Sequence, residues 1–452
     1  KEMIRRGVDV FRINTAHGDR TEHQKRVDAI RGVADDFRRP VAILVDLAGP
    51  KIRLGKLPGD QLNCEPGLEV RFVRGDESTA PTDLVTTYEP LVDELTVGAQ
   101  VMLADGTVAL DVTAVSADAA TCTVVQPGIV RSSQGVNLPG LKLSVPTLGE
   151  ADRDTAAWAA ETGADFVSLS FVRSADDVGE LKELIQSTGS KAQVVAKIEK
   201  PEALDDLDAI VDAADGIMIA RGDLGVEIDV ARVPIVQKQI ITTCRRQHTP
   251  VIVATQMLES MHHSRVPTRA ETTDVANAIL DGADACMLSG ETAIGDYPCE
   301  AVEMMARIAR VTEQRYRSHD TEGSRVHGDP TLHGITTAVA DASGQLAEAL
   351  NAKMIIVASR SGATARAISN HRLFVPTVGV SDSDKTLRRM CLYWGVTPLT
   401  GCPTEDPTKI LDYAVERARE IGYVTTGHRV VMIAGTGLRV SQHNMVVVHE
   451  LD

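Results

Sequence analysis

Aromatic side chains make up only 3% of the 452 residues. Cores so poor in rings must be built from Val, Ile, Leu and Ala, the composition of strands buried on both faces of a parallel sheet. Positive charge is also short: Asp and Glu number 63 against 47 Lys and Arg, a formal net charge of −16. That excludes a general nucleic-acid binder, because phosphate backbones are held by Lys and Arg. A small anionic substrate would then need a local basic site. The seven cysteines form no C-x-x-C pair and no metal-ligand spacing. A scattered, odd-numbered set reads as reduced thiols in a cytoplasmic protein. No run of about 18 apolar residues occurs, so a soluble protein without a membrane partner is expected. What is abundant is hydrophobic residue, 43%, and chain length. The length exceeds what one core serves, so two or three domains are expected.

One stretch, 193–226 (QVVAKIEKPEALDDLDAIVDAADGIMIARGDLGV), organises the rest. Two short apolar runs, each ending in charge, flank a helical pattern at 201–214, which is a βαβ unit whose parallel strands end on the same side. Alternation along a strand puts Lys197 and Glu199 on one face, and Asp223 leaves the neighbouring run at the same end. Two carboxylates about 4 Å apart repel by roughly 4 kcal/mol at an effective dielectric near 20. Either an ion-pair network with Lys197 and Arg221 offsets this, or a divalent cation does; Mg2+ takes one or two carboxylates plus substrate oxygens.

Taken in order, the chain predicts strands at 8–15 and 41–47, with Arg12 and Asn14 on one face of the first and Asp46 ending the second. Residues 55–140 are β-rich with turn signals at 74–76 and 105–106, a small all-β domain inserted at the catalytic end and placed to act as a lid. Strands then recur at 166–171, 193–199, 216–223, 251–256 and 285–291, with helices between them at a repeat of roughly 25–35 residues, the size of a βα unit. The seven early strands are one short of a (β/α)8 barrel, and the expectation is that a first strand precedes residue 1. Strands at 352–358, 376–380, 396–399, 429–434 and 445–449 mark a C-terminal doubly wound α/β domain. The expected division is 1–54 and 141–325 for the barrel, 55–140 for the lid, and 326–452 for the last domain.

A series of blocks in this order resembles the pyruvate kinase family: FRINTAHG (11–18), GPKIR (49–53), GVNLPG (135–140), VSLSFVR (167–173), AKIEKPEAL (196–204), IMIARGDLGVEI (217–228), VIVATQMLESM (251–261) and PTRAETTDVANAILDGADACMLSGETAIGDYP (267–298). The resemblance spans essentially the whole chain. It implies transfer of phosphate from phosphoenolpyruvate to ADP, giving pyruvate and ATP in the last step of glycolysis, with Mg2+ (or Mn2+) as cofactor. By motif it implies that Glu199 and Asp223 hold the metal and that Lys197 stabilises charge on the phosphoryl group and enolate. Arg12 and Arg53 contact phosphoryl groups, as guanidinium readily does. Gly222 and Asp223 offer backbone N–H groups to the substrate carboxylate, and Thr255 sits where the enolate is protonated. His17, with Arg53 and Asn14, lies beside the nucleotide. A homotetramer is the usual assembly.

The departures from the family pattern matter as much. Of the usual K+ ligands Asn14 and Asp46 remain, but Ala16 and Leu47 stand where Ser and Thr are common, and Lys51 replaces a glutamate. Lysine there marks K+-independent members, so K+ is not expected to be required. Gln134 stands where a lysine is usual, removing a charge near the nucleotide phosphates. In the last domain Ser359, Ser361, Gly362 and Thr364 form a hydroxyl-rich loop opening a helix, a phosphate cradle. The resemblance makes it a site for a sugar-phosphate or AMP effector. The competing readings are a non-catalytic metabolite-binding homologue and a Mg2+-dependent aldolase or lyase of 2-oxo acids.

Overall fold

The computed structural model describes residues 1–78, 80–317, 332–435 and 443–452. The expected domain boundary at 325/326 falls outside them.

Strands β1 (Val10–Asn14) and β2 (Ala42–Asp46) begin a parallel sheet. The chain then leaves it for β3 (Gln61–Cys64), β4 (Glu69–Val73), β5 (Asp83–Leu84), β6 (Gln100–Leu103), β7 (Val108–Val115), β8 (Ala119–Gln126), β9 (Gly128–Arg131) and β10 (Val136–Asn137). These form a mostly antiparallel unit with its own apolar core, including Leu54, Phe72, Leu103 and Leu138. The two segments joining it to the barrel pair with each other: Leu54 N–H donates to Gln134 O, and Val136 N–H to Ile52 O. The inserted unit therefore hangs on a two-stranded stem.

Strands β11 (Phe166–Leu169), β12 (Gln193–Ile198), β13 (Gly216–Ala220), β14 (Val251–Ala254) and β15 (Ala285–Cys286) complete a seven-stranded parallel sheet in the order β1-β2-β11-β12-β13-β14-β15. Alternation divides its side chains cleanly. One set (Ile43, Val45, Val167, Leu169, Val194, Ala196, Ile217, Ile219, Val251 and Val253) packs in the cluster that includes the surrounding helices. The other set starts apolar and ends polar: Ala42, Leu44, Asp46; Phe166, Ser168, Ser170; Val195, Lys197, Glu199. Its apolar members join a core shared with the last domain. Its polar members gather at the C-terminal ends of the strands, where barrel chemistry sits.

Two sequence-derived strands are shorter than expected. The run 216–223 turns into a helix at Arg221–Glu227, so Asp223 sits on a helix; three acidic or glycine residues in RGDLG disfavour further extension. The run 285–291 pairs only at Ala285–Cys286, and Gly290–Ala293 is helical.

The last domain holds β16 (Met354–Ala358), β17 (Thr377–Val380), β18 (Val396–Pro398), β19 (Arg429–Ala434) and β20 (Met445–Glu450), ordered β18-β17-β16-β19-β20. Four strands are parallel, and β20 runs antiparallel on the edge beside β19. The order reverses beside β16, so the loop after it lies at the switch point where open α/β sheets bind ligands. Charged clamps fix this domain to the barrel's lower end. Asp165 accepts from Arg31 (2.8 Å) and from Arg388 of the last domain (2.7 Å), and Arg372 reaches Asp284 at 2.9 Å.

Candidate active site

At the polar end of the barrel, charges alternate. Arg12 donates through Nε to Asp46 Oδ2 at 2.8 Å, and its Nη2 reaches the same oxygen. Asp46 Oδ1 accepts from Ser168 Oγ at 2.6 Å and lies 3.4 Å from Lys197 Nζ. Lys197 Nζ lies 2.9 Å from Glu199 Oε1 and donates to Ser170 Oγ at 2.8 Å. Glu199 Oε2 accepts from the Phe171 N–H at 2.7 Å. Lys51 Nζ stands 3.6 Å from Asp223 Oδ1 and 3.8 Å from Asp105 of the inserted unit.

Burial opposes ionisation throughout, and the neighbours decide the outcome. For Asp46, burial pushes the pKa up, but Lys197, Arg12 and Ser168 outweigh it and hold the carboxyl below its usual value. For Lys197, burial pushes down, and Asp46 and Glu199 override it to raise the ammonium. Glu199 goes the other way: burial, aided by the charge of Asp223, raises it despite Lys197. Lys197 stands 2.9 Å from Glu199 and Lys51 3.6 Å from Asp223, and Glu199 is still raised by its burial and by the charge of Asp223. Oxygen donors of this kind fit Mg2+. Of the ion-pair alternative, the Lys197 half is present at 2.9 Å from Glu199, whereas the Arg221 guanidinium turns away to Asp274 (2.7 Å) and the Thr255 carbonyl (2.7 Å).

The backbone around the cluster is strained. Thr255 has φ 69°, rare for a β-branched residue, and Gln256 and Phe171 have φ 53° and 56°. Thr255 Oγ1 accepts from the Gly222 N–H at 2.8 Å and donates to Ala254 O at 2.6 Å. The Gly222 N–H expected to face a substrate carboxylate is thus held by Thr255. At Gly49 (φ 72°) a Cβ would lie 2.7 Å from Ser170 Cβ, so glycine lets this loop pass against the site.

Other expected residues lie at the edges. Arg53 is on the stem, with Nη1 donating to Ser133 O at 3.1 Å. His17 is exposed. Asn14 Oδ1 accepts from the Ala16 N–H at 3.1 Å, and Gln134 Oε1 from the Arg131 N–H at 2.6 Å. In the last domain Ser359 Oγ accepts from the Gly362 N–H (3.1 Å) and Ser361 Oγ from the Ala363 N–H (3.4 Å). Thr364 Oγ1 lies 3.0 Å from His443 Nδ1. Sequence reasoning missed Ser168 and Ser170, whose alternation with Val167 and Leu169 was the available signal. It also missed Glu227, buried under the stem, where it accepts from Lys200 (2.7 Å) and Asn137 (3.3 Å).

Residues 1–302 match the pyruvate kinase barrel domain, and residues 337–449 the pyruvate kinase alpha/beta domain. The chain belongs to the pyruvate kinase family. It is 41% identical to pyruvate kinase 2 of Synechocystis, over 96% of this chain and 73% of that protein. Identity to the pyruvate kinase of Clostridium acetobutylicum is 38%, covering 97% of this chain and 93% of that one. A crystal structure of a pyruvate kinase from Cryptosporidium parvum superposes with a TM-score of 0.90 at 30% identity, covering 100% of this chain and 92% of the other. Pyruvate kinase activity, a phosphotransfer, follows from these relatives. No helix among the described residues is long and apolar enough to cross a membrane.

Proposed function

We propose that this chain moves the phosphoryl group of phosphoenolpyruvate to ADP at the Asp46–Lys197–Glu199 cluster, without needing K+. The carrying observation is the Lys197 ammonium held between two buried carboxylates at the mouth of the barrel. Glu199 and Asp223 would hold Mg2+, which when bound neutralises charge on the phosphoryl and enolate oxygens. The P–O bond to the enol oxygen breaks, and a bond forms from phosphorus to a terminal oxygen of ADP. Lys197 stabilises negative charge on the transferring group and on the enolate left behind, in a site where charges are fixed in advance. Arg12, oriented by Asp46, and Arg53 on the stem hold phosphoryl oxygens. The enolate carbon then takes a proton on the face near Thr255, giving pyruvate. His17 and Asn14 flank the nucleotide.

K+-independence rests on how the remaining family ligands are used. Asp46 accepts from Arg12 and Ser168 and faces Lys197, while Asn14 is turned into a local backbone bond. Lys51 supplies a fixed positive charge beside Asp223. A coupled assay following pyruvate, in buffer free of K+ and with tetramethylammonium as counter-ion, tests this. Full turnover is expected, and strong activation by added K+ overturns it. No pyruvate from phosphoenolpyruvate and ADP would favour the non-catalytic homologue instead.

The loop Ser359–Thr364, at the switch point of the last domain, would hold the phosphate of a sugar phosphate or AMP. Soluble, cytoplasmic tetramers are the expected form.

A further inference from the structure

Beside the catalytic cluster, three side chains from two neighbouring loops converge. The loop leaving β14 makes a 3-10 turn, Glu259–His262. Residues three apart eclipse in such a turn, so Glu259 and His262 stand on one side. The loop leaving β15 contributes Glu291, in the short helix Gly290–Ala293. One ligand atom from each of the three lies within 4.8 Å of the others.

Each donor has unspent capacity. His262 Nε2 is buried without a hydrogen-bond partner, 3.7 Å from Glu259 Oε1. The ring fits only because residue 290 is glycine: a Cβ there would fall 2.4 Å from Nε2 and 2.2 Å from Cε1. Glu291 is 1% exposed. Its Oε1 accepts from the Leu258 N–H (3.1 Å) and its Oε2 from the Ser289 N–H (2.7 Å). Each oxygen keeps a lone pair, and outer hydrogen bonds of this kind orient metal-binding carboxylates. Among the described residues no Lys or Arg nitrogen pairs with either carboxylate; the basic side chain beside them is the His262 imidazole. Two carboxylates without a fixed cation match a doubly charged ion, and the imidazole turns the preference from Mg2+ to a first-row transition metal.

We propose that Glu259, His262 and Glu291 form a second metal site, separate from Glu199 and Asp223, that takes Zn2+ or a similar ion. The ion would tie the loop after β14 to the loop after β15. The first of these begins at Thr255 and Gln256, both with positive φ, so occupancy would hold the strained segment in place.

Zn2+ titration of the full chain by calorimetry, with saturating Mg2+ to fill the catalytic carboxylates, tests the proposal. One Zn2+ per chain is expected. His262→Leu and Glu259→Gln should each weaken it at least tenfold, while Glu199→Gln should not. Co2+ in place of Zn2+ should give a visible absorption band that His262→Leu abolishes. Glu259 is 58% exposed, so its substitution keeps the test alive if His262→Leu does not fold. No uptake above saturating Mg2+ overturns the proposal. So does unchanged binding in both triad variants, or loss of the Zn2+ in Glu199→Gln.

Discussion

The barrel sheet and the sheet of the last domain end in two polar groups built on opposite electrostatic plans. At the barrel's mouth, buried Asp46, Lys197 and Glu199 and half-buried Arg12 are ion-paired. At the switch point of the last sheet, the loop after β16 offers hydroxyls and backbone, with Gly362 at φ 88° leading into the helix Ala363–Asn370. The first arrangement holds charges in fixed positions before any ligand arrives, which is what stabilising a developing charge requires. In the second, N–H groups at a helix start are met by the Ser359 and Ser361 hydroxyls, an arrangement suited to exchanging those partners for a phosphate in the proposed reading. Binding needs donors, whereas chemistry needs a field. The difference can be broken one residue at a time.

The largest effect is expected at the centre of the charged plan. Lys197→Met should lower kcat by about 10²–10³-fold or more, the range for removing a group that stabilises transition-state charge. It should also destabilise the fold, since removing one partner of a buried ion pair typically costs about 3–5 kcal/mol. The coupled assay and a thermal melt read the two losses. A variant with normal kcat would mean that the cluster is only structural.

Next in size is Glu199→Gln, expected to weaken Mg2+ binding by at least about 10–100-fold, the loss already typical when only a hydrogen-bonding partner of a ligand is removed. Glu199 has its pKa raised from 4.5 by burial and by Asp223. A raised carboxyl contributes stability below its unfolded value and loses it as pH rises through the folded value. The parent's melting temperature should therefore fall as pH rises through the folded value of Glu199 by more than that of the Gln variant. For the same reason the parent's Mg2+ affinity should begin to fall at a pH above 4.5 on acidification. Asp46, held below 3.8, has the opposite sign: its contribution is present above 3.8 and lost only as pH falls through its lower folded value. An Mg2+ titration across pH separates the two carboxylates.

Much of the charged plan was legible because strand alternation is local. Lys197 and Glu199 are two apart, and the structure puts both in one cluster. The parallel sheet and the inserted β unit were legible from apolar runs and turn residues. The partners across strands were not. Asp46 looked like half of a monovalent-cation site, and only the sheet register, which sets β2 between β1 and β11, brings it to Arg12 and Ser168. Asp223 was read as a strand end, whereas the helix Arg221–Glu227 carries it; the signal was the strand-disfavouring Gly and Asp of RGDLG, which the apolar run before it outweighed. Glu227 under the stem and the Glu259–His262–Glu291 group were invisible because each meets partners from elements distant in sequence.

A smaller effect is expected from Lys51, the fixed cation that in the proposed reading stands in for an exchangeable one. Lys51→Glu should lower turnover about tenfold in K+-free buffer, because a third carboxylate would then face Asp223 and Asp105 in place of an ammonium. Added K+ should recover part of the loss in the variant and change the parent little. Equal K+ responses in the two proteins would remove Lys51 from the account of cation dependence.

The smallest effect belongs to the neutral plan. Ser361 is exposed at the helix start, bonded only to the Ala363 N–H at 3.4 Å among the described residues. Glutamate there is compatible with the helix dipole, so Ser361→Glu should keep the parent's melting temperature within a degree or two, roughly the few tenths of a kcal/mol expected of a surface change. It would, however, set a negative charge where the proposed effector phosphate would bind. The expected outcome is loss of a few-fold decrease in the half-saturating phosphoenolpyruvate concentration that a sugar phosphate or AMP gives the parent. If neither metabolite shifts the parent's saturation curve, the hydroxyl loop is a helix cap and nothing more. The contrast between the two sheets would then be one between a working site and a fold element that shares its geometry.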